Sequence, residues 1–265
     1  MLGEMYRPKG LALETAQTVL ETKEVYAVNV ADGCSNNCLY PCFNQVRFFR
    51  RRHEASEVRL PKESPGLLVY RQISKMWPAT IPALLCDPDD IGVFLSFLTD
   101  PFLKIVAKKT RALIRVLLDN HTIGNHVKVA TLSKLQCSYI RDVLDGMTIV
   151  SLDDDFWHKW EPNTVPPYAR LRQLEASKDE QNYVWVSMEP YPPSEIYKQD
   201  FEALLEQLKF VDLIVFGKWN YNERARTEQA RTEYAEHVKT LTKFGLKHRI
   251  RTYVKSDTLK FIGRE

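Results

Sequence analysis

Short apolar runs alternate with longer segments of helical periodicity along most of the chain. Several runs are apolar at successive positions, as expected of parallel strands that are buried on both faces. Alternation of this kind predicts βα units around a parallel sheet, an α/β fold class. The predicted strands are 25–30, 92–97, 127–132, 147–152, 184–188 and 213–216, with 250–254 left open as a last one, and the predicted helices are 102–119, 134–144, 168–177, 195–210 and 224–244.

Length and composition agree with one large domain, or one domain with a small extension. The 265 residues are 44% hydrophobic and 27% charged, which is ordinary for a globular protein, and a net charge of +3 permits a phosphate-bearing partner without requiring one. The first ten residues lack the apolar core of a signal peptide. No apolar run approaches the ~18–20 residues of a membrane span, so we expect no membrane partner. Five cysteines with three crowded together do not resemble a disulfide framework, which indicates a reducing, cytoplasmic location.

Polar residues follow each of the six predicted strands. In parallel α/β folds the carboxyl ends of the strands lie at one edge of the sheet and carry the chemistry. Six strands that all end in polar residues therefore predict one shared site at this carboxyl edge. Besides the cysteines after the first strand, the residues are Thr99, Asp100, Ser133, Lys134, Asp153, Asp154, Asp155, Glu189, Lys218 and Asn220.

The residues after the first strand form a cysteine loop, 33–42, which contains Cys34, Cys38 and Cys42. Clustered thiolates select zinc, copper(I) or an iron–sulfur cluster. A structural zinc site is closed by four ligands, and no fourth cysteine or histidine stands nearby, since the next histidine, His53, lies behind a run of arginines. Three thiolates thus favour a cluster whose remaining metal corner is left for a small molecule.

The cysteine loop and its surroundings resemble the radical S-adenosylmethionine (SAM) superfamily, in particular the branch that contains spore photoproduct lyase. The usual spacing in the superfamily is Cys-x3-Cys-x2-Cys, whereas Pro41 makes it Cys-x3-Cys-x3-Cys here. The resemblance covers residues 25–222, and it is specific for the superfamily but loose for the substrate. The segments that carry it are 33–35, 38–43, 96–102, 150–153, 160–163, 185–192 and 216–222.

The resemblance implies a partial (β/α)6 TIM-like barrel with parallel strands and a [4Fe–4S] cluster held by Cys34, Cys38 and Cys42. SAM would bind the fourth iron, and an electron from an external donor of the flavodoxin or ferredoxin type would cleave it. The products would be methionine and a 5′-deoxyadenosyl radical that abstracts hydrogen from a substrate. The expected organisation is an N-terminal extension (1–24), the barrel (25–255, with 43–90 as an extended first connection) and a C-terminal tail (256–265).

Residues that contact SAM are assigned by their position in this resemblance. The superfamily's Gly-Gly-Glu motif is absent from the second strand, and Thr99 and Asp100 stand at the corresponding end. Lys134 is expected to pair with the SAM carboxylate, whereas Glu189 is expected to reach the ribose hydroxyls or the substrate and is a candidate catalytic residue. The full set of expected cofactor-binding residues is Tyr40, Phe43, Thr99, Asp100, Ser133, Lys134, Ser151, Asp153 and Glu189.

Several residues have a second interpretation. The alternative for the cysteine loop is a structural zinc site with Cys86 or Cys137 as a remote fourth ligand, although the strand–loop setting and the wider matches favour the cluster. Cys137 is also a candidate hydrogen-atom donor, although lone cysteines are usually small buried hydrophobic residues. Asp100, which precedes a proline, would also serve as the N-cap of the next helix.

The substrate is left open among nucleic acid, a protein or peptide side chain and a small metabolite. A run of arginines suits phosphate groups and so favours nucleic acid, but such a run is equally typical of a solvated helix face. A zinc- or cluster-binding structural or electron-carrier protein is the alternative outside catalysis, and the oligomeric state is not indicated. The candidate phosphate-binding residues are Arg47, Arg50, Arg51 and Arg52.

Overall fold

The computed structural model describes residues 2–40, 42, 57–76, 91–119, 127–135 and 140–264. Its centre is one sheet of eight strands that lie side by side in chain order. The first strand is antiparallel to the second, and every later neighbour pair is parallel. The strands are β1 (Met5–Tyr6), β2 (Glu24–Val28), β3 (Ile91–Leu95), β4 (Lys128–Ser133), β5 (Val143–Thr148), β6 (Val184–Tyr191), β7 (Leu213–Lys218) and β8 (Arg251–Val254).

This sheet confirms the α/β class and the partial barrel. The sheet has seven parallel strands, β2 to β8, rather than the six of the predicted barrel, because the run 250–254 forms a last strand, β8. Within the described residues β8 does not pair with β1, so the barrel is open.

Helices follow most of the strands, and no helix among the described residues is long and apolar enough to cross a membrane. Segment 43–90, expected as an extended connection, contains the twelve-residue helix α2, which packs against α3. The helices are α1 (Leu11–Leu20), α2 (Pro65–Met76), α3 (Ala107–Leu118), α4 (Asp154–Trp160), α5 (Pro167–Asp179), α6 (Phe201–Glu206), α7 (Glu228–His248) and α8 (Ser256–Phe261), with a 3₁₀ turn at Glu223–Ala225.

The predicted helix 134–144 is wrong at every residue that the structure describes, 134–135 and 140–144, because none of them is helical. Val143 and Leu144 begin β5, which pairs with β4 from Val129 opposite Val143 onward. The strand expected at 147–152 therefore starts four residues earlier. A short apolar run has no periodicity that separates strand from helix, so pairing with β4 decides its state.

Side chains alternate between two environments along the parallel strands. One set points into the barrel and includes Ala27, Phe94, Trp185 and Val215. The other set packs outward beneath the helices in two apolar layers, one under α2 and α3 and one under α5 to α7. The interior is therefore a packed core, and the strands present their polar ends at the carboxyl edge.

Helix α1, in the segment expected as an extension, packs inside this barrel. Its residues Val19 and Leu20 are buried against the inward-facing strand side chains. Its Glu14 carboxylate accepts hydrogen bonds from the backbone N–H (2.8 Å) and the hydroxyl (2.5 Å) of Ser256, directly after β8. Helix α1 thus connects the two sides of the open sheet.

Candidate metal and cofactor site

The cysteine loop leaves β2 through a turn that only glycine adopts without strain. Gly33 has φ of 100°, in the region that L side chains avoid. Its N–H donates to Leu98 O (3.2 Å), and Asp32 exchanges two backbone hydrogen bonds with Arg59 (3.0 and 2.8 Å). The loop is therefore fixed between the end of β3 and the segment that precedes α2.

The three cysteines of this loop are thiols that form no disulfide, with Cys38 buried and Cys34 and Cys42 half-buried. Burial, assisted by the nearby Asp100 carboxylate, raises the pKa of Cys34 to about 12. Burial also raises the pKa of Cys38, although the ammonium of Lys134 opposes the shift. Metal binding at these sulfurs must therefore release protons.

Asp100 joins the cysteine loop to the ends of β3 and β4. Its buried carboxylate accepts hydrogen bonds from Asn36 Nδ2 (3.1 Å), Phe102 N (3.0 Å), Ser133 Oγ (2.7 Å) and Lys134 N (2.7 Å). Burial raises the pKa of Asp100 even though these four donors favour its charged form. Each acceptor position of Asp100 is thus used inside the protein.

Asp100 does not cap the following helix. Helix α3 begins at Ala107, with Val106 in the cap position, six residues beyond Asp100. The interpretation of Asp100 as an N-cap is therefore wrong. Thr99 beside it is also buried, and its hydroxyl has no hydrogen-bond partner among the described residues, so this polar atom at the strand end is available to a ligand.

A buried charge cluster lies against Cys38 and consists of Lys134, Glu161 and Arg170 with the hydroxyl of Tyr40. The Glu161 carboxylate accepts hydrogen bonds from Tyr40 and from Arg170, and Lys134 Nζ lies 3.3 Å from it. Lys134 Nζ also lies 3.5 Å from Cys38 Sγ. Burial raises the pKa of Glu161, but the two cations outweigh burial and the net shift is downward, so Glu161 is a carboxylate.

Glu161 and Arg170 are site residues that the sequence analysis missed. Glu161 stood there only as part of the matching segment 160–163, and Arg170 was an unremarkable member of a predicted helix. The one signal in the sequence was the acidic Glu161 inside a matching segment. Both side chains are 1% exposed, and no local pattern in the sequence indicates that burial.

An aromatic wall continues from this cluster. The Tyr40 ring meets Trp219 edge-on with centroids 5.4 Å apart, and Trp219 meets Trp160 in the same way at 5.1 Å. The indole N–H groups of Trp160 and Trp219 are both buried, and neither has a partner in the part of the chain that the structure describes. Buried polar atoms are nearly always hydrogen-bonded, so these donors, like the Thr99 hydroxyl, fit a polar ligand beside the cysteine loop.

Within the described residues, no three Cys, His, Asp or Glu side chains converge in the arrangement of a metal site. The chemistry of the donors nevertheless fits an iron–sulfur cluster, because three cysteine thiols stand on one loop with a lysine beside Cys38. The orphaned hydroxyl and indole donors around them fit a polar cofactor. The residues present therefore fit the group that the sequence resemblance implies.

Among the remaining predicted residues, one forms an ion pair and two lie just before the start of a helix. Glu189 forms an ion pair with Lys255 (3.0 Å), and this pairing offsets the cost of placing a carboxylate at the carboxyl edge. Ser151 is buried and its hydroxyl accepts from Asp153 N (3.1 Å), while exposed Asp153 is the N-cap of α4. Contact of these residues with SAM stays a prediction.

Other predicted residues lie outside the described part of the chain, and their roles stay predictions. They include one expected cofactor-binding residue, the hydrogen-donor candidate, a possible remote zinc ligand and the candidate phosphate-binding arginines. These residues are Phe43, Cys137, Cys86, Arg47, Arg50, Arg51 and Arg52.

With this geometry established, solved structures provide a comparison for the fold. A double mutant of spore photoproduct lyase with bound AdoMet and dinucleoside spore photoproduct superposes with a TM-score of 0.59 at 15% identity, over 86% of this chain and 75% of that one. A single mutant with the dinucleoside spore photoproduct gives 0.58 at 13% identity, and another mutant gives 0.56 at 16%, both with the same coverage. The chain has the fold of spore photoproduct lyase.

This likeness confirms, at the level of the fold, the resemblance inferred from the sequence. It extends over most of both chains, so the parallel sheet and the placement of its carboxyl edge are shared. No family model matches the sequence, and no curated protein matches it. Function therefore has to be argued from the site.

Proposed function

We propose that this chain is a radical SAM enzyme whose [4Fe–4S] cluster is held by Cys34, Cys38 and Cys42. When bound, such a cluster supplies the electron that cleaves SAM to methionine and a 5′-deoxyadenosyl radical, which abstracts hydrogen from a substrate. The observation that carries the proposal is one loop with three cysteine thiols, none of them in a disulfide, that follows the carboxyl end of β2. This loop lies in a barrel with the fold of a lyase solved with AdoMet.

The chain's own residues would bind and orient the cofactors. Asp100 ties the loop, through Asn36, to the ends of β3 and β4. Thr99 and the indoles of Trp160 and Trp219 offer unused hydrogen-bonding groups to SAM. Aromatic packing around Tyr40 would exclude water from the reactive species.

The proposal leaves the substrate class as a prediction. The solved lyase holds a bound dinucleoside spore photoproduct. In this chain, the candidate phosphate-binding arginines support nucleic acid as the substrate class. Protein side chains and small metabolites stay alternatives. A flavodoxin- or ferredoxin-type electron donor is likewise a prediction.

The decisive experiment is SAM cleavage by the anaerobically reconstituted protein with dithionite as reductant. We expect methionine and 5′-deoxyadenosine, measured by liquid chromatography, once iron and sulfide analysis has verified cluster loading. Replacing Cys34, Cys38 or Cys42 with Ala should abolish cleavage, because three thiolates are the minimum that holds the cluster with one iron free.

Cys86→Ala is the matched control, since it removes a cysteine outside the loop. A cluster site predicts that this variant retains cleavage, whereas a zinc site completed by Cys86 predicts loss of metal. If the loaded wild-type protein forms no 5′-deoxyadenosine, or if Cys42→Ala cleaves SAM normally, the proposal or its ligand assignment is wrong.

A further inference from the structure

The ammonium group of Lys134 is enclosed by three partners beneath the cysteine loop. Nζ lies 3.5 Å from Cys38 Sγ, 3.3 Å from Glu161 Oε1 and 4.2 Å from the centre of the Tyr40 ring. An ammonium has three N–H donors, and a ring face attracts a cation. Only 13% of the Lys134 side chain is exposed, so its ammonium group points toward these protein groups rather than toward solvent.

Both ends of this lysine are fixed. Its backbone N–H donates to Asp100 (2.7 Å), and its carbonyl accepts from Val165 N (3.1 Å). Its carboxylate partner, Glu161, is held in turn by Tyr40 and by Arg170. Nζ therefore cannot leave the Cys38 sulfur by a simple rotamer change without also leaving Glu161.

Arg170 is fixed as well, since its second nitrogen donates to the backbone carbonyl of Thr148, the last residue of β5 (2.5 Å). Its side chain is 1% exposed. The cluster is thus anchored to the sheet through β5 as well as through Lys134 at the end of β4, so its charges keep their positions relative to the loop.

The charges of this cluster do not cancel. Lys134 and Arg170 contribute two positive charges and Glu161 one negative charge, which leaves one positive charge next to Cys38. These groups are almost fully buried, and Coulomb interactions in such surroundings are stronger than in water. The two cations therefore offset part of the cost that burial places on negative charge at the Cys38 sulfur, or on anything that it ligates.

We propose that Lys134 is a positioning residue that donates a hydrogen bond to the ligand sulfur of Cys38 and raises the midpoint potential of the bound cluster. The inference rests on the proposed function. Hydrogen bonds to sulfur and local net charge are two of the factors that set cluster potentials. Reduction adds one electron from the external donor to the cluster, and the adjacent cation favours that more negative state without itself exchanging a proton or an electron.

The test measures the midpoint potential of the reconstituted protein in the absence of SAM. Lys134→Gln removes the charge, Lys134→Arg keeps it, and Lys159→Gln is the matched control. Lys159 also lies over an aromatic ring, 5.0 Å from the centre of Trp160, but it is exposed. Dye-mediated titration followed by electron paramagnetic resonance provides the potential, and iron and sulfide analysis verifies equal loading.

We expect Lys134→Gln to shift the midpoint potential to a more negative value, with Lys134→Arg close to wild type and Lys159→Gln unchanged. An unchanged potential in Lys134→Gln, or an equal shift in Lys159→Gln, overturns the inference. If Lys134→Gln does not load, Lys134→Arg decides: a loaded protein with a wild-type potential supports the inference, and a shifted potential or an empty site refutes it.

Omitting SAM keeps the two proposals distinguishable. A loaded protein that shows the potential shift but does not cleave SAM supports the role of Lys134 and refutes the proposed function. A protein that cleaves SAM but shows no shift refutes only the role of Lys134. A wild-type protein that cannot bind a cluster refutes both.

Discussion

Asp100, Asp145 and Glu161 are buried carboxylates that the protein accommodates in different ways. Glu161 has two cations, which keep its pKa low despite burial. Asp100 has only neutral donors, and burial raises its pKa. Among the described residues, the donors to Asp145, in β5, are the hydroxyls of Ser177 at 2.5 Å and Thr131 at 3.4 Å, and burial raises its pKa to about 6. At neutral pH, Asp145 is thus a buried charge with no cation beside it in the described part of the chain.

Replacing Asp145 with Asn should stabilise the protein at alkaline pH but not at acidic pH. The folded pKa of about 6 lies above the ordinary 3.8, so the carboxyl supports folding when protonated, and this support is lost as pH rises from about 4 through 6. At 1.36 kcal/mol per pKa unit, the gain at about pH 8 is at most ~3 kcal/mol. Urea unfolding at about pH 4.5 and pH 8 measures it, and equal differences at both pH values would contradict this account.

At the scale of elements, the cysteine loop and strands β3 and β4 meet at one carboxylate. Asp100 accepts from a side chain of the loop, from the backbone after β3 and from the last residue of β4, Ser133. Removing an acceptor leaves its buried donors unsatisfied, and each such donor costs ~1–3 kcal/mol. The junction of these elements therefore depends on one side chain.

Asp100→Ala should lower the free energy of unfolding by about 3 kcal/mol or more, because four donors lose their acceptor together. Asp153→Ala is the matched control, since exposed Asp153 caps α4 with a hydrogen bond from Asp155 N (2.8 Å), and loss of such a cap costs ~1 kcal/mol. Urea denaturation of the metal-free proteins gives both values. Equal losses in the two variants would show that Asp100 does not join the elements.

At the scale of the whole molecule, the open barrel is stabilised from inside by α1. The helix packs on inward-facing residues of the sheet, and Glu14 reaches across to the segment after β8. Arg251, at the start of β8, donates to the carbonyl of Thr18 (3.3 Å) in the same helix. The barrel thus gains a connection that strand pairing does not provide, since β8 and β1 are not neighbours in the described sheet.

Leu20→Ala tests whether α1 belongs to the folded core. Leu20 is 1% exposed in the barrel interior, and truncating a fully buried leucine costs ~2–5 kcal/mol. Leu11→Ala, in the same helix, is the control because Leu11 is 38% exposed. Thermal and urea unfolding should show a clear loss for Leu20→Ala only. Little effect from either substitution would mean that residues 1–24 are a dispensable extension.

Local patterns were sufficient for the main features of this protein. Successive apolar residues predicted the parallel strands, and the polar ends of those strands predicted one shared edge. The cysteine loop was predictable because its three thiols lie close together in the chain. The pattern failed at Val143 and Leu144, where a short apolar run suits helix and strand equally and only pairing with β4 makes it a strand.

The sequence by itself thus determined the α/β class, the carboxyl edge and the three thiols, because each depends on residues that are near one another in the chain. Only the tertiary structure decided what surrounds those thiols. Lys134 meets Cys38 across 96 residues, and Tyr40 meets Glu161 across 121. Such contacts follow from the order and register of the strands, since loops far apart in sequence become neighbours only when the parallel sheet brings its carboxyl ends together.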